Sequence, residues 1–220
     1  ALETELYNVQ APAAHNEELK DTFTRLMTLL CQIKDIRNSL RRCAAGETPD
    51  HVELFEIKGY LQRLDGMRPL FEQINAVTHF KGMTFHEVKD ALAVLDPDGT
   101  GSRGFYIPDS ATAKLKEIRS AKKEVEERLF HAQTDAEKDD LRLKRTRLCG
   151  EEDAEEMHVR KAMGAALAPM VDDLLSDAET AGRLDFIIQK ALFAVRYGSV
   201  KPELTEEDLE ICFRCFAVFG

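Results

Sequence analysis

The sequence predicts an all-α protein: a core helix bundle plus a long antiparallel helical hairpin, with a short extended link near residues 96–108. Three observations carry this. Ala, Leu, Glu, Lys and Arg are plentiful, while Gly (12) and Pro (7) are few and Trp is absent, a composition that favours long helices. Apolar residues recur at spacings of three, four and seven over most of the chain, the period of one helical face. Two long periodic stretches meet at Gly150, which predicts helices folded back on one another.

The elements follow in order. Residues 1–15 show no clear period and read as a linker or lead-in, with Pro12 in an alanine-rich stretch. Leu19, Phe23, Leu26, Leu30, Ile33 and Leu40 mark one face of a helix over about 16–44. Gly46 ends it, and Thr48-Pro49 predicts an N-cap with proline at the first helical position. The second helix runs to about 76, with Gly59 and Gly66 as weak points and Pro69 as a kink or break. A third starts at "TFHE", where Thr84 and Glu87 fit a capping box, and ends near Leu95. These elements form a helical core over 16–108.

From Asp109 or Ser110 the pattern restarts, with Leu115, Ile118, Val125, Leu129 and Ala132 in a narrow, heptad-like stripe. Thr134 and Glu137 fit a new cap, or the helix runs straight on to 148; the pattern leaves both open. Beyond Gly150 a second stripe includes Met163, Leu167, Leu174, Ala181, Leu184 and Ile188, passes Pro169 and stops at Gly198. Helices over about 109–148 and 152–197, each about 60 Å at 1.5 Å per residue, are expected to share one seam in a hairpin over 109–198, its tip at 149–151. Residues 199–220 return toward the core.

Composition excludes several classes. The chain has 220 residues, 44% hydrophobic and 32% charged, enough for a buried core and unlike a disordered chain. Its net charge of −10 argues against a broad nucleic-acid-binding face, which carries a basic surplus. Five scattered cysteines, no signal peptide and no apolar run near the 18 residues that cross a bilayer place it in the cytoplasm, away from membranes. It begins at Ala1 and not Met, as expected of a piece of something longer.

"LDPDGTGSRGFYIPD", residues 95–109, resembles a calcium loop. With Asp96 as position 1, position 12 is Ile107, where a bidentate glutamate is required, and position 8 is Arg103, where an apolar residue belongs. Turn chemistry at Pro97-Asp98-Gly99 and a short strand or extended link at "GFYI" account for the stretch without an ion. Cys212 and Cys215 form a lone CxxC with no second ligand pair for zinc; buried thiols are the plainer account. The six histidines show no ligand or triad spacing, and neither GxxxxGK[ST] nor GxGxxG occurs. No catalytic residue, metal ligand or cofactor is expected in this chain. Arg142, Lys144, Arg145 and Arg147 form the densest basic run, followed at once by the acids of 151–156. Mutual pairing on a solvated surface is the plain expectation; contact with DNA phosphate at the hairpin tip is the sharper one.

Several segments together resemble the MutS family of DNA mismatch-repair and DNA-junction ATPases. "IKDIRNSLRRCAAGETPDHVELFEIKGYLQRLDGMRPLF" is similar to the family's core helix pair, with its joint at Gly46–Leu54. "LDPDG…DSATAKLKEIRSAKKEVEERL" is similar to the entry into the ascending lever helix, and "LDFIIQKALFAVRYGSVKPEL" to the descending one. The ordered set covers about 20–204 and lies nearest the branch that lacks the mismatch-reading domain. The resemblance implies a core-and-lever fragment that couples an ATPase domain, outside this chain, to DNA held by a homodimer in mismatch repair or recombination control. ATP and Mg belong to that other domain. On its own the fragment would touch DNA weakly and without sequence preference, and would not hydrolyse nucleotide. The sequence departs from the family in three ways. The mismatch-reading Phe-x-Glu has no counterpart domain, and Phe85-His86-Glu87 matches it by chance. The clamp between the levers is missing, since 133–151 is too short. "LEICFRCFAVFG" lacks the Arg-His-Pro-like continuation of the ATPase's first strand. Composition alone equally supports a helical coiled-coil scaffold or adaptor with no DNA role.

Overall fold

A computed structural model describes residues 2–102 and 104–202. Its helices are α1 (Leu2–Ala14), α2 (Asn16–Leu30), α3 (Arg37–Ala44), α4 (His51–Thr78), α5 (Lys89–Leu95), α6 (Ala113–His131), α7 (Asp135–Leu167) and α8 (Val171–Tyr197). Short 3-10 turns at Asp109–Ala111 and Ala168–Met170 precede α6 and α8. The protein is all-α, 78% helical, with no strand among the described residues. "GFYI" therefore belongs to an irregular link and forms no strand. From Asp135 to Tyr197 helix follows helix for 63 residues, Pro169 falling in the 3-10 turn. The chain divides into two compact units, one of residues 1–34, 60–88 and 173–220, the other of 35–59 and 89–172.

In the first unit, Phe23 and Leu26 of α2, Met67 and Ile74 of α4, and Leu184 and Ile188 of α8 meet in one core. Burying side chains of this size stabilises by about 1.5–3 kcal/mol each. The expected lead-in is the helix α1. Its apolar pattern is weak because a polar clasp docks it: the amide of buried Asn8 donates to Lys81 O at 3.0 Å and accepts from Lys81 N at 2.9 Å. Tyr7 adds a hydrogen bond to Thr78 O. The helix expected over 16–44 is two, because the N–H groups of Gln32 and Ile33 turn back to Leu29 O and Leu30 O and close α2. Pro69 does not break α4, whose neighbouring Met67, Leu70 and Phe71 are all buried. Gly198 does end α8. With φ of 61°, its N–H bonds Val195 O while Ser199 N bonds Ala194 O, the paired closure of a Schellman motif.

In the second unit, α3 opens where Arg37 donates from its backbone and side chain to Asp35. The N-cap of α4 is Asp50 in place of Thr48: Asp50 Oδ1 accepts from Glu53 N at 2.8 Å and Glu53 Oε2 from Asp50 N at 2.9 Å, a reciprocal capping box. Neither Asp109 nor Ser110 caps α6. Thr112 does, accepting from Leu115 N at 3.0 Å.

Helices α6 and α7 run antiparallel, since partner numbers fall along one as they rise along the other: Thr112 with Glu155, Arg119 with Glu152, Glu126 with Arg145. The turn joining them is at 132–134, not 149–151. Ala132 adopts extended backbone, and Thr134 caps α7 by accepting from Glu137 N. Gly150 lies inside α7, where its cost is only about 1 kcal/mol relative to alanine and the helix is paired to α6 on both sides of it. The seam differs accordingly. Leu115 packs with Ile107 and Val159, and Val125 with Ala132 and Leu141, whereas Ile188 belongs to the first unit's core.

Candidate functional site

The four basic residues singled out as DNA-backbone contacts lie on α7, eight to thirteen residues from the hairpin turn, or about 12–20 Å along the axis. Three have acidic partners. Arg142 pairs with Asp139 at 3.0 Å, Arg145 crosses to Glu126 of α6 at 2.8 Å, and Arg147 reaches Glu151 at 3.1 Å. Lys144 is exposed and makes no ion pair among the described residues. These side chains share a stretch of helix surface but converge on no cavity.

The acidic run after them ties the hairpin together. Arg119 of α6 donates to Glu152 at 2.9 Å and Glu156 at 2.7 Å on α7, to Asp109, and to Ile107 O at 2.8 Å in the link. Only 12% of its side chain is exposed, so it is the pivot of the network. Burial opposes its charge, and the hydrogen bonds to Asp109, Glu152 and Glu156 outweigh that and raise its pKa. Burial likewise opposes ionisation of Glu152, but Lys122 and Arg119 hold its carboxyl below the ordinary range. Glu155 is held low by Lys114 and then by Thr112. Arg119 was not legible as a centre, because its partners sit 10 to 37 residues away.

The 96–108 link is fastened by Asp96. Its Oδ1 accepts from Thr100 N at 3.2 Å and Thr100 Oγ1 at 2.9 Å, and Oδ2 from Gly101 N at 2.8 Å, with buried Lys58 Nζ 3.4 Å away. The carboxylate that resembled a calcium ligand thus serves a turn and a buried ammonium. Among the described residues no group of three His, Cys, Asp or Glu could hold a metal ion. Cys212 and Cys215 lie outside the described residues.

The first unit contains a site that sequence reasoning missed. Residues 84–88 are not helical, and α5 begins at Lys89, so the Thr84–Glu87 capping box does not form. Instead His86 donates its backbone N–H to Asp177 Oδ1 at 3.0 Å and places ring Nδ1 2.8 Å from the same oxygen. Asp177 is fully buried, and its Oδ2 has no hydrogen-bond partner. The hydrogen bond to Asp177 raises the His86 pKa, and burial followed by Asp177 raises that of Tyr60. Phe85 packs edge-on against Phe71, and Glu87 sits 3.8 Å from Arg68. The Phe-x-Glu triplet is therefore part of a packed corner. A signal for Asp177 did exist: it sits in phase between Leu174 and Ala181, a carboxyl on an apolar stripe.

No protein-family model matches this sequence, and no curated protein matches it. No helix of the described residues is long and apolar enough to cross a membrane.

Proposed function

We propose that this chain is the core and lever portion of a MutS-like DNA-binding ATPase, acting as a mechanical coupler between a nucleotide-hydrolysing domain outside the chain and DNA held by a homodimer. The observation that carries this reading is the antiparallel α6–α7 pair, each arm of which pairs with the other across the seam. A paired helical arm transmits displacement, and Arg119 of α6, bound to α7 and to the link that enters the pair, stiffens it. The ordered segments that resemble the family's core pair, lever entry and lever return support the same assignment. Mismatch repair or recombination control is the proposed setting. The cytoplasm is the proposed compartment, in keeping with free Cys31, Cys43 and Cys149.

In this reading the chain itself hydrolyses no nucleotide, since it has no phosphate-cradling loop or lysine to place a γ-phosphate. Of the four basic residues, Arg142, Lys144 and Arg147 make its DNA contacts, while Arg145 is held by Glu126 across the hairpin; the contacts go to phosphate alone, which needs charge and reach but no base-reading surface. A scaffold with no DNA role is the second reading, favoured by the ion pairs that three of these residues already make. The experiment is DNA binding by the full-length dimeric protein, read with ATP and with ADP. Nucleotide-dependent affinity supports the coupler; a full-length protein with neither a P-loop nor DNA affinity overturns it in favour of the scaffold.

A further inference from the structure

The last three turns of α8 expose a stripe on the side away from the core. Leu184, Ile187, Ile188 and Ala191 are buried, while Phe186, Phe193 and Tyr197 are 59%, 61% and 45% exposed. Three clustered aromatics are too many to count as scattered surface apolars. Phe186, Lys190, Phe193 and Tyr197 follow one another at spacings of four, three and four, the rhythm of the a and d positions in a coiled-coil seam. Their side chains are already gathered on the helix surface. The Phe193 and Tyr197 rings meet at 4.5 Å, Lys190 Nζ lies 4.1 Å over the Phe186 ring, and Arg196 stands 5.5 Å over that of Tyr197. The charge is one-sided. In a chain of net charge −10, residues 186–202 carry Lys190, Arg196 and Lys201 and no acid. Asp185 lies about a quarter-turn round the helix from Phe186. Neither Lys190 nor Arg196 has an acidic partner among the described residues.

We propose that this stripe docks an amphipathic helix of a partner protein, apolar along its own seam and acidic opposite Lys190 and Arg196. Two independent observations select that occupant. The spacing selects a helix, because a helix laid along α8 presents side chains at the matching interval. The charge selects an acidic one. A cation at a seam position is accommodated by a partner that sets a carboxylate against it, and it rejects partners that do not. A second copy is the poorer occupant, because it would bring Lys190, Arg196 and Lys201 against their own kind. Single-stranded nucleic acid is attracted by cations interleaved with aromatics, but it stacks on open ring faces. Here Lys190 and Arg196 already stand over two of the three rings. From Phe186 to Tyr197 is about 17 Å of helix, which sets the contact in the small, transient class of interface. The proposal does not depend on the DNA reading.

The probe is a fluorescently labelled synthetic peptide of about four heptads, with Leu along its seam, one Glu placed there to meet Lys190, and Glu on both flanks. Its twin carries Lys in place of every Glu. Fluorescence anisotropy against the complete 220-residue chain is expected to show saturable binding of the acidic peptide, at least about tenfold tighter than of the basic one. Phe193→Ala is expected to weaken the acidic peptide, and Lys190→Glu with Arg196→Glu to reverse the preference. All three positions are exposed, and circular dichroism checks that the helices remain. Equal binding of the two peptides to the parent chain, binding of neither, or a preference that survives the charge reversal overturns the proposal. So does sedimentation showing that the chain alone self-associates and that Phe193→Ala abolishes this, which assigns the stripe to a second copy. Tighter binding of a labelled oligothymidylate than of the acidic peptide, lost in Phe193→Ala, also overturns it and assigns the stripe to single-stranded nucleic acid.

Discussion

At the residue scale, identical residue types have opposite roles set by what surrounds them. A Cβ on Gly164 would stand 2.9 Å from Pro49 Cδ and 3.3 Å from its Cγ, a ring that cannot swing away. A Cβ on Gly150 meets nothing within 4 Å. Gly150→Ala should therefore gain about 1 kcal/mol of helix propensity. Gly164→Ala should lose more to overpacking, about 1–3 kcal/mol, than it gains. Paired urea melts check the opposite signs. The His86–Asp177 contact predicts a pH dependence. His86 faces Asp177 and Asp173 of α8, and its folded pKa is raised above the ordinary value of about 6.5. Its contribution is then fully present below the unfolded pKa and is lost as pH rises through the folded one. The ring-proton titration of His86 should have its midpoint above that of an unstructured peptide and fall in Asp177→Asn. Equal midpoints in parent and variant would mean that Asp177 does not hold the charge.

At the element scale, the hairpin depends on which ion pairs are buried. Arg119 is nearly enclosed among carboxylates from the link and α7, so Arg119→Ala strands those acids. The expected cost is about 3 kcal/mol. Arg142 pairs one turn away at 65% exposure, and Arg142→Ala should cost under about 0.5 kcal/mol. Thermal melts of the two variants measure the ratio, and comparable losses would show that the network does not hold the arms together. The sequence disclosed these helices by their apolar phase, because Leu115, Val125 and Leu141 repeat regularly. It misplaced their ends. Glycine inside a helix costs little when neighbours hold the backbone, so Gly150 looked like a stop and was none. Thr134 is a start signal of ordinary strength, and whether it is used depends on cross-helix pairs such as Glu126–Arg145. α1 was read as a lead-in because a long-range amide clasp between Asn8 and Lys81 has no local periodicity. The basic run was legible as charge; which acid each member faces was not.

At the scale of the whole molecule, the proposed DNA contact turns on how much of the α7 charge remains for phosphate. Arg145 braces the hairpin to Glu126, and its release would loosen the arms. Arg142 and Arg147 pair only within their own helix and are 65% and 81% exposed. Exposed pairs contribute about 0–1 kcal/mol, so phosphate can replace either acid at little cost. Lys144 is already open. Each phosphate contact adds about 0.9 to the slope of log affinity against log salt. In a dimer each substitution falls on both levers, so three available contacts per lever predict that changing all four residues to Ala lowers the slope by about 5, not by the roughly 7 of four contacts per lever. Lys144→Ala alone, which removes one contact from each lever, should lower it by about 1.8, and Arg145→Ala should leave it unchanged while lowering the melting temperature. On the proposed reading the titration is run on the dimeric parent, because one lever offering so few contacts would bind no better than about 10⁻⁴ M at physiological salt, and two levers held together would raise the effective concentration. If the fourfold variant has the parent's slope, α7 does not touch phosphate. Its arginines then act only on Asp139, Glu126 and Glu151, and the scaffold reading gains the ground.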